Sequence, residues 1–202
     1  RHVRIAQITL AQFGGDGGFE LRQRLAPCRN LADEGEGDVT GLIDRVDEVQ
    51  VATSPMASAA EALAANPTGK IPALTRADGP AIYDSRVIMR YLDNMADANL
   101  YPNTSLYEVL TLEATAIAIM DATVSMAYEV RLRPETQQSP DWIEAHWGKA
   151  ARGIEAINTR WMSHLNGPLN AAQIATSCAL GYIDLRHDGR NWRKGNDALA
   201  KW

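Results

Sequence analysis

The residues with the most chemistry to offer lie close together. Asn66-Pro67-Thr68-Gly69-Lys70-Ile71-Pro72-Ala73-Leu74 is a turn opening onto a short apolar strand, and Asp84-Ser85-Arg86-Val87-Ile88 comes soon after. Pro72, at the second position of that strand, donates no ladder hydrogen bond. A cis Ile71–Pro72 bond would resolve the conflict by turning the Ile71 backbone outward, and a cis bond costs little only before proline. The N–H and C=O thus exposed could pair with the backbone of a bound peptide, as an added strand does. Ser85 is a good N-cap, with orphan N–H groups just beyond it. Those groups and the positive helix end suit a carboxylate. Asp84 beside them suits an ammonium. One end of an amino acid, carrying both charges, fits there.

These residues need elements to hold them. Asp78-Gly79 turns the strand back, Ala81-Ile82-Tyr83 forms its antiparallel partner, and Asp84-Ser85 caps a helix over Arg86–Asn94. Upstream, Ser58–Ala65 is a short helix and Arg45 to Val51 a strand, with Val46, Val49 and Val51 apolar. Gly69-Lys70 does not make a phosphate loop: Ala64 replaces the first glycine of that motif and Ile71 its Ser/Thr. Asp-Ser alone would be only a cap, and most X-Pro bonds are trans. The joint pattern is far more specific than any of its parts.

The second half reads as helices. Leu106, Val109, Leu110, Ile117, Met120 and Val124 recur at helical spacing through Ser105–Tyr128. Pro134 closes or interrupts the segment beyond Tyr128. Ser139-Pro140-Asp141 starts another helix, with Ile143, Trp147, Ile154, Ile157 and Trp161 marking one face, and Gly167-Pro168 ends it. Leu169 to Ile174 is a capping box with a hydrophobic staple: Asn170 caps, Gln173 sits at the return position and Leu169 packs on Ile174. Small residues Ala175, Ser177, Ala179 and Gly181 make the next helix slim and suited to a central place. A last helix begins near Asn196. The five tryptophans, Trp142, Trp147, Trp161, Trp192 and Trp202, pack this region. His2, His146, His164 and His187 lack metal-ligand spacing, so no metal site is expected, and His146 is placed on a helix surface.

Composition sets bounds. With 202 residues, 46% of them hydrophobic, the chain can build a core without staples. Net charge is −5 with no long charge run, which argues against nucleic acid or an anionic membrane as partner. The only cysteines, Cys28 and Cys178, suggest a reducing compartment and a cytoplasmic location. No apolar run is expected to span a bilayer, and no signal peptide is visible.

From Asn66 to Tyr91 almost without a break, and on to Leu100-Tyr101-Pro102, the chain resembles the second half of the thioredoxin-like domain of the glutathione transferase superfamily. The capping box, Met120-Asp121-Ala122, the Pro134 to Ser139 segment, and Ala179 to Asp184 with Arg186 resemble small bacterial members. The family usually has Ser or Thr followed by Asp in its box, where this chain has Asn170 and Gln173. The resemblance covers about Gly41 to the end. It implies an α/β thioredoxin-like N-terminal domain over 1–99 and an all-α domain over 103–202. It implies a cis Ile71–Pro72 bond. It also implies that Lys70, Ile71, Pro72, Asp84 and Ser85 bind glutathione, with the γ-glutamyl end at Asp84-Ser85 and the cysteinyl backbone at Ile71.

The expected activity is transfer of glutathione's thiolate to a small electrophile, a detoxification reaction, by a homodimer. A free thiol has a pKa of about 8.5, so the family needs a Tyr, Ser or Cys near the sulfur, in the loop after the first strand. Two registers for that loop stay open. In the preferred one, Arg1–Ala6 opens the first helix, the strand and catalytic loop are missing ahead of Arg1, and Phe13–Thr40 is a glycine-rich, acidic and poorly ordered insertion. In the other, Phe19-Glu20-Leu21-Arg22 is the first strand and Cys28 lies at the loop. No catalytic residue is assigned. The second register would favour a glutathione-dependent disulfide reductase or peroxidase. Absence of the loop would favour a non-catalytic binding or regulatory protein. The family usually continues for another turn and helix beyond Trp202.

Overall fold

The computed structural model describes residues 3–7, 42 and 45–202. Val3–Gln7 forms a strand, β1, which overturns the reading of Arg1–Ala6 as a helix start. Strand β1 runs parallel to β2, Val46–Gln50, and antiparallel to β3, Ala73–Arg76. It has ladder partners on both sides, as an interior strand of a sheet needs. Val3-Arg4-Ile5 alternates apolar and polar, a period of two that serves a strand. The rival strand Phe19–Arg22, Cys28 and the expected Phe13–Thr40 insertion lie outside the described residues.

Strand β4, Gly79–Ile82, pairs antiparallel with β3. Among the described residues the sheet order is β2-β1-β3-β4. Strand β3 begins at Ala73, so Pro72 stands at the strand entrance rather than inside it. Its missing N–H costs the ladder nothing. Helix α1, Ala60–Ala65, precedes this turn, and helix α2, Ser85–Ala96, follows β4. Helix α2 brings Ile88 to Leu74 of β3, with Ile82, Tyr91, Leu92 and Met95 packed around them. The result is a thioredoxin-like α/β unit.

Contacts divide the chain into two compact units, Arg1–Leu100 and Tyr101–Trp202. The second is all-helical among its regular elements: α3, Leu106–Leu132; α4, Pro140–Arg160; α5, Met162–Leu165; α6, Ala171–Arg186; and α7, Asp197–Lys201. Helix α3 packs against both α4 and α6. Contrary to expectation, the segment Asn103–Leu132 is long and apolar enough to cross a membrane by length and composition alone. Its partners explain the apolarity. Leu112, Ala116, Ile119, Thr123 and Met126 are buried, as befits the core helix of a bundle.

Two buried carboxylates on α3 hold neighbouring chain in place. Glu113 accepts from the Tyr101 hydroxyl at 2.7 Å. Glu129 accepts from the Ser139 N–H at 2.8 Å, while the Ser139 hydroxyl caps α4 through the Trp142 N–H at 3.3 Å. The α6 capping box forms as expected: the Asn170 N–H donates to Gln173 Oε1 at 2.7 Å and the Ala172 N–H to Asn170 Oδ1 at 3.0 Å. Gln173 does more, donating its amide to the carbonyls of Leu165 at 2.8 Å and Gly167 at 3.1 Å. Leu169 stays exposed, so the expected staple buries little.

His146 is buried, not at the surface. Its Nδ1 lies 3.0 Å from the Trp142 carbonyl and its ring 4.2 Å from the Trp142 ring. The buried stripe of α4 is His146, Ala150, Ile154 and Ile157, at helical spacings that include the histidine. Not every tryptophan packs: Trp142 and Trp202 are exposed, while Trp192 is buried. The Trp192 ring N–H donates to Asp184 at 2.8 Å. Burial raises the Asp184 pKa, but hydrogen bonds from Arg193 and Trp192 outweigh it and hold the carboxyl below its usual range.

Two substitutions test this packing. A Cβ on Gly153 would stand 2.8 Å from Ile119 Cγ1, whereas on Gly148 it would meet only the tip of Arg152 at 3.3 Å. Overpacking costs ~1–3 kcal/mol and alanine gains ~1 in helix propensity. Gly153→Ala should therefore lower the urea midpoint, and Gly148→Ala should raise it. Gln173→Glu keeps the cap acceptor but removes both amide donors. It should destabilise by ~2 kcal/mol, read from the same urea curves.

Candidate functional site

The site is built on the turn between α1 and β3. The α1 C-cap, Asn66, is only 3% exposed, and its side chain binds the turn just beyond it. Asn66 Nδ2 donates to the Lys70 carbonyl at 2.8 Å. Its Oδ1 accepts from the Thr68 N–H at 3.0 Å and the Thr68 hydroxyl at 2.8 Å. The Asn66 carbonyl takes the Gly69 N–H at 2.8 Å. Thr53 secures the outer side, donating to the Gly69 carbonyl at 3.3 Å and accepting from the Ala59 N–H at 3.2 Å. Gly69 has φ +65, and a Cβ there would sit 2.5 Å from Ser58 Oγ. Both facts require glycine.

The chain leaves this turn at Ile71. The Ile71 side chain packs against the small core of Val51 and Ala62. Among the described residues, its backbone N–H and C=O take no backbone partner. The Ile71–Pro72 bond is cis, the isomer the resemblance implies, and Tyr83–Asp84 is cis as well. Lys70 is exposed at the turn.

The hairpin brings the two halves of the expected site together. Leu74 pairs with Ile82. Continuing that antiparallel register by two residues on each strand sets Pro72 across from Asp84. Lys70, Ile71 and Pro72 therefore share one end of the hairpin with Asp84 and Ser85.

Asp84, not Ser85, is the N-cap of α2: its carboxylate accepts from the Arg86 N–H at 3.1 Å, and Ser85 is the first helical residue. The longer Asp84 side chain reaches the second N–H of the helix from one residue further out. The Arg86 guanidinium also binds the Asp84 carboxylate, at 3.1 and 3.4 Å. Hydrogen bonding from Arg86 holds the Asp84 carboxyl below its usual range against a smaller rise from burial. What remains open at this end of α2, among the described residues, is the Ser85 N–H and hydroxyl.

The sequence reading missed Asn66 and Thr53 as the residues that shape the turn. A signal was present: Asn-Pro-Thr-Gly is an Asx-turn composition. Cys28, the sequence's candidate thiol, falls outside the described residues. Cys178 lies half-buried on α6, in the helical unit.

Comparison with known proteins then places the chain. Residues 39–95 match the model of the glutathione S-transferase N-terminal domain, and residues 140–202 match that of its C-terminal domain. The uncharacterised GST-like protein YibF of Escherichia coli is 34% identical over 142 residues, 67% of this chain and 69% of its own. A glutathione transferase family member from Pseudomonas fluorescens, solved with bound glutathione, is 32% identical. The likeness covers 99% of this chain and 91% of that one, with a TM-score of 0.81. A second such structure from that organism holds S-(propanoic acid)-glutathione, at 30% identity, the same coverage and a TM-score of 0.76.

The turn offers a direct test. Asn66→Ala removes three side-chain hydrogen bonds and leaves the Lys70 carbonyl and the Thr68 N–H without them. Stability should fall by ~2 kcal/mol or more. Hydrogen exchange at Thr68 and Gly69 should accelerate beyond the global change, because the turn itself loosens.

Proposed function

This chain belongs to the glutathione S-transferase family, and from that membership we propose that it binds glutathione and transfers its thiolate to small electrophiles. One observation carries the reading. Among the described residues, the Ile71 backbone without a backbone partner and the open Ser85 N–H and hydroxyl share one end of the β3–β4 hairpin. A peptide with a charged amino-acid end needs both. Its cysteinyl backbone would lie along Ile71 as an added strand. Its γ-glutamyl carboxylate would take the Ser85 groups at the positive end of α2. Its ammonium would meet Asp84, which Arg86 already holds anionic. Lys70 adds an exposed cation at the turn.

In the reaction the thiolate sulfur forms a new bond to an electrophilic carbon, and that carbon's electron pair leaves with a departing group or moves into an adjacent acceptor. The bound S-(propanoic acid)-glutathione of the Pseudomonas relative is a thioether of the kind such a transfer produces. A homodimer working in detoxification belongs to the same proposal. So does the cytoplasm, where glutathione is kept largely as the thiol.

Retention on immobilised glutathione, followed by conjugation of 1-chloro-2,4-dinitrobenzene, tests the whole. Retention with turnover is expected. Binding without turnover would make the protein a regulatory binder, and turnover of mixed disulfides alone would make it a reductase.

Ser85→Ala separates ligand contact from structure. Because Asp84 makes the cap, this variant should melt close to the parent. Its glutathione affinity by calorimetry should fall tenfold to a hundredfold, as loss of a hydrogen bond to a charged group costs ~1.5–3 kcal/mol. Asp84→Ala should lose affinity and also ~1 kcal/mol of stability, the value of a cap. The Asp84 pKa is depressed in the fold, so its contribution is complete above the usual value near 3.8. It is lost only as pH falls through the lower folded value. Glutathione affinity limited by Asp84 should therefore hold steady down to about pH 4.

A further inference from the structure

Asn66 does more than close the turn it sits in. Three bonds already close that turn: the Asn66 carbonyl takes the Gly69 N–H, and Oδ1 takes the Thr68 N–H and hydroxyl. The fourth, from Nδ2 to the Lys70 carbonyl at 2.8 Å, reaches past the turn to the peptide that joins Lys70 to Ile71. That peptide is trans, since the cis bonds among the described residues are Ile71–Pro72 and Tyr83–Asp84. A trans peptide is planar, with its C=O and N–H pointing in opposite directions. Holding the Lys70 carbonyl on the buried Asn66 side chain therefore aims the Ile71 N–H away from Asn66. On the glutathione reading of this site, we propose that Asn66 is a positioning residue: through the Lys70 carbonyl it sets the Ile71 N–H for the cysteinyl backbone before glutathione arrives.

The preceding peptide is held in the same manner. Thr53, in the link between β2 and α1, donates to the Gly69 carbonyl at 3.3 Å and accepts from the Ala59 N–H at 3.2 Å. The Gly69–Lys70 peptide is also trans, so its plane is fixed from the Thr53 side. Two consecutive peptides are thus set by side chains from two separate segments. The Ile71 side chain adds a third anchor, on Val51 and Ala62. Yet the Ile71 N–H so aimed takes no backbone partner among the described residues. A buried amide needs an acceptor in any case, and any nearby carbonyl would meet that need. Choosing the Lys70 carbonyl has a further consequence, because it orients a donor that the fold itself leaves unused. A donor fixed in advance lowers the ordering cost of a ligand that pairs with it. Asn66 touches no ligand in this role and acts through one peptide plane.

Asn66→Asp is the selective variant on the full chain. It keeps the Oδ1 acceptor for Thr68 and replaces the Nδ2 donor with an oxygen that cannot hold the Lys70 carbonyl. Asn66→Ser is its uncharged counterpart, too short to reach Lys70 but able to accept from the Thr68 N–H. Two controls loosen the fold without freeing this peptide. Thr68→Val, at an exposed position, loses one turn bond, and Gln173→Glu acts in the helical unit. Without glutathione, amide relaxation should find the Ile71 N–H as rigid as the helices in the parent and both controls, and mobile in the Asn66 variants. With glutathione, calorimetry should show binding about three- to tenfold weaker in the Asn66 variants, the worth of a backbone hydrogen bond. Both controls should stay within about twofold of the parent, with melting curves showing each protein folded. A mobile Ile71 N–H in the free parent overturns the proposal whatever the variants do. So does an Ile71 N–H still rigid in a folded Asn66 variant, or an affinity there equal to that of a control of matched stability; Asn66 is then a turn residue only, and the glutathione reading stands. A parent that does not bind glutathione at all overturns that reading and this proposal together.

Discussion

The Asn66 carboxamide fixes the direction in which the chain enters its sheet, and the candidate site depends on that direction. A helix end leaves carbonyls without partners, and a tight turn exposes more backbone polar groups. Asn66 meets both needs: its backbone N–H donates to the Ala62 carbonyl of the helix end, and its side chain serves the turn, accepting from Thr68 and donating to Lys70. Burial makes these bonds matter, since a buried polar group without a partner is expensive. With the turn fixed, the Ile71 side chain drops into the Val51–Ala62 core, and among the described residues the Ile71 backbone takes no backbone partner. Register in the hairpin then brings Asp84 and Ser85 to the same end.

The helical unit solves a different problem. Helix α3 is apolar enough that only close packing on both sides keeps its surface from water. Helix α4 comes close because Gly153 lacks a Cβ where Ile119 stands, and α6 is lined with small residues. Polar side chains at the corners then set the connections. Glu129 receives the N–H of Ser139, the α4 cap, while Gln138 donates to the Val130 and Arg133 carbonyls at the end of α3. Gln173 does the same work before α6. Its neutral amide can accept from the cap and donate to two carbonyls, which an aspartate at that position could not do. The Asn170-Gln173 pair is thus an alternative chemistry for the same corner, with extra bonds in place of charge.

The sequence by itself determined the fold class, the hairpin and its turn, and the caps of α4 and α6. Each is decided by neighbours within a few residues, through periodicity, turn chemistry or a side chain reaching its own backbone. The tertiary structure decided the rest. It made Val3–Gln7 a strand by supplying partners on both edges. It made Asp84 rather than Ser85 the cap of α2. It buried His146 beside Trp142 and turned an apolar α3 into a core helix. Pairing and burial are settled by segments distant in the chain, whereas local pattern fixes only what a segment can become.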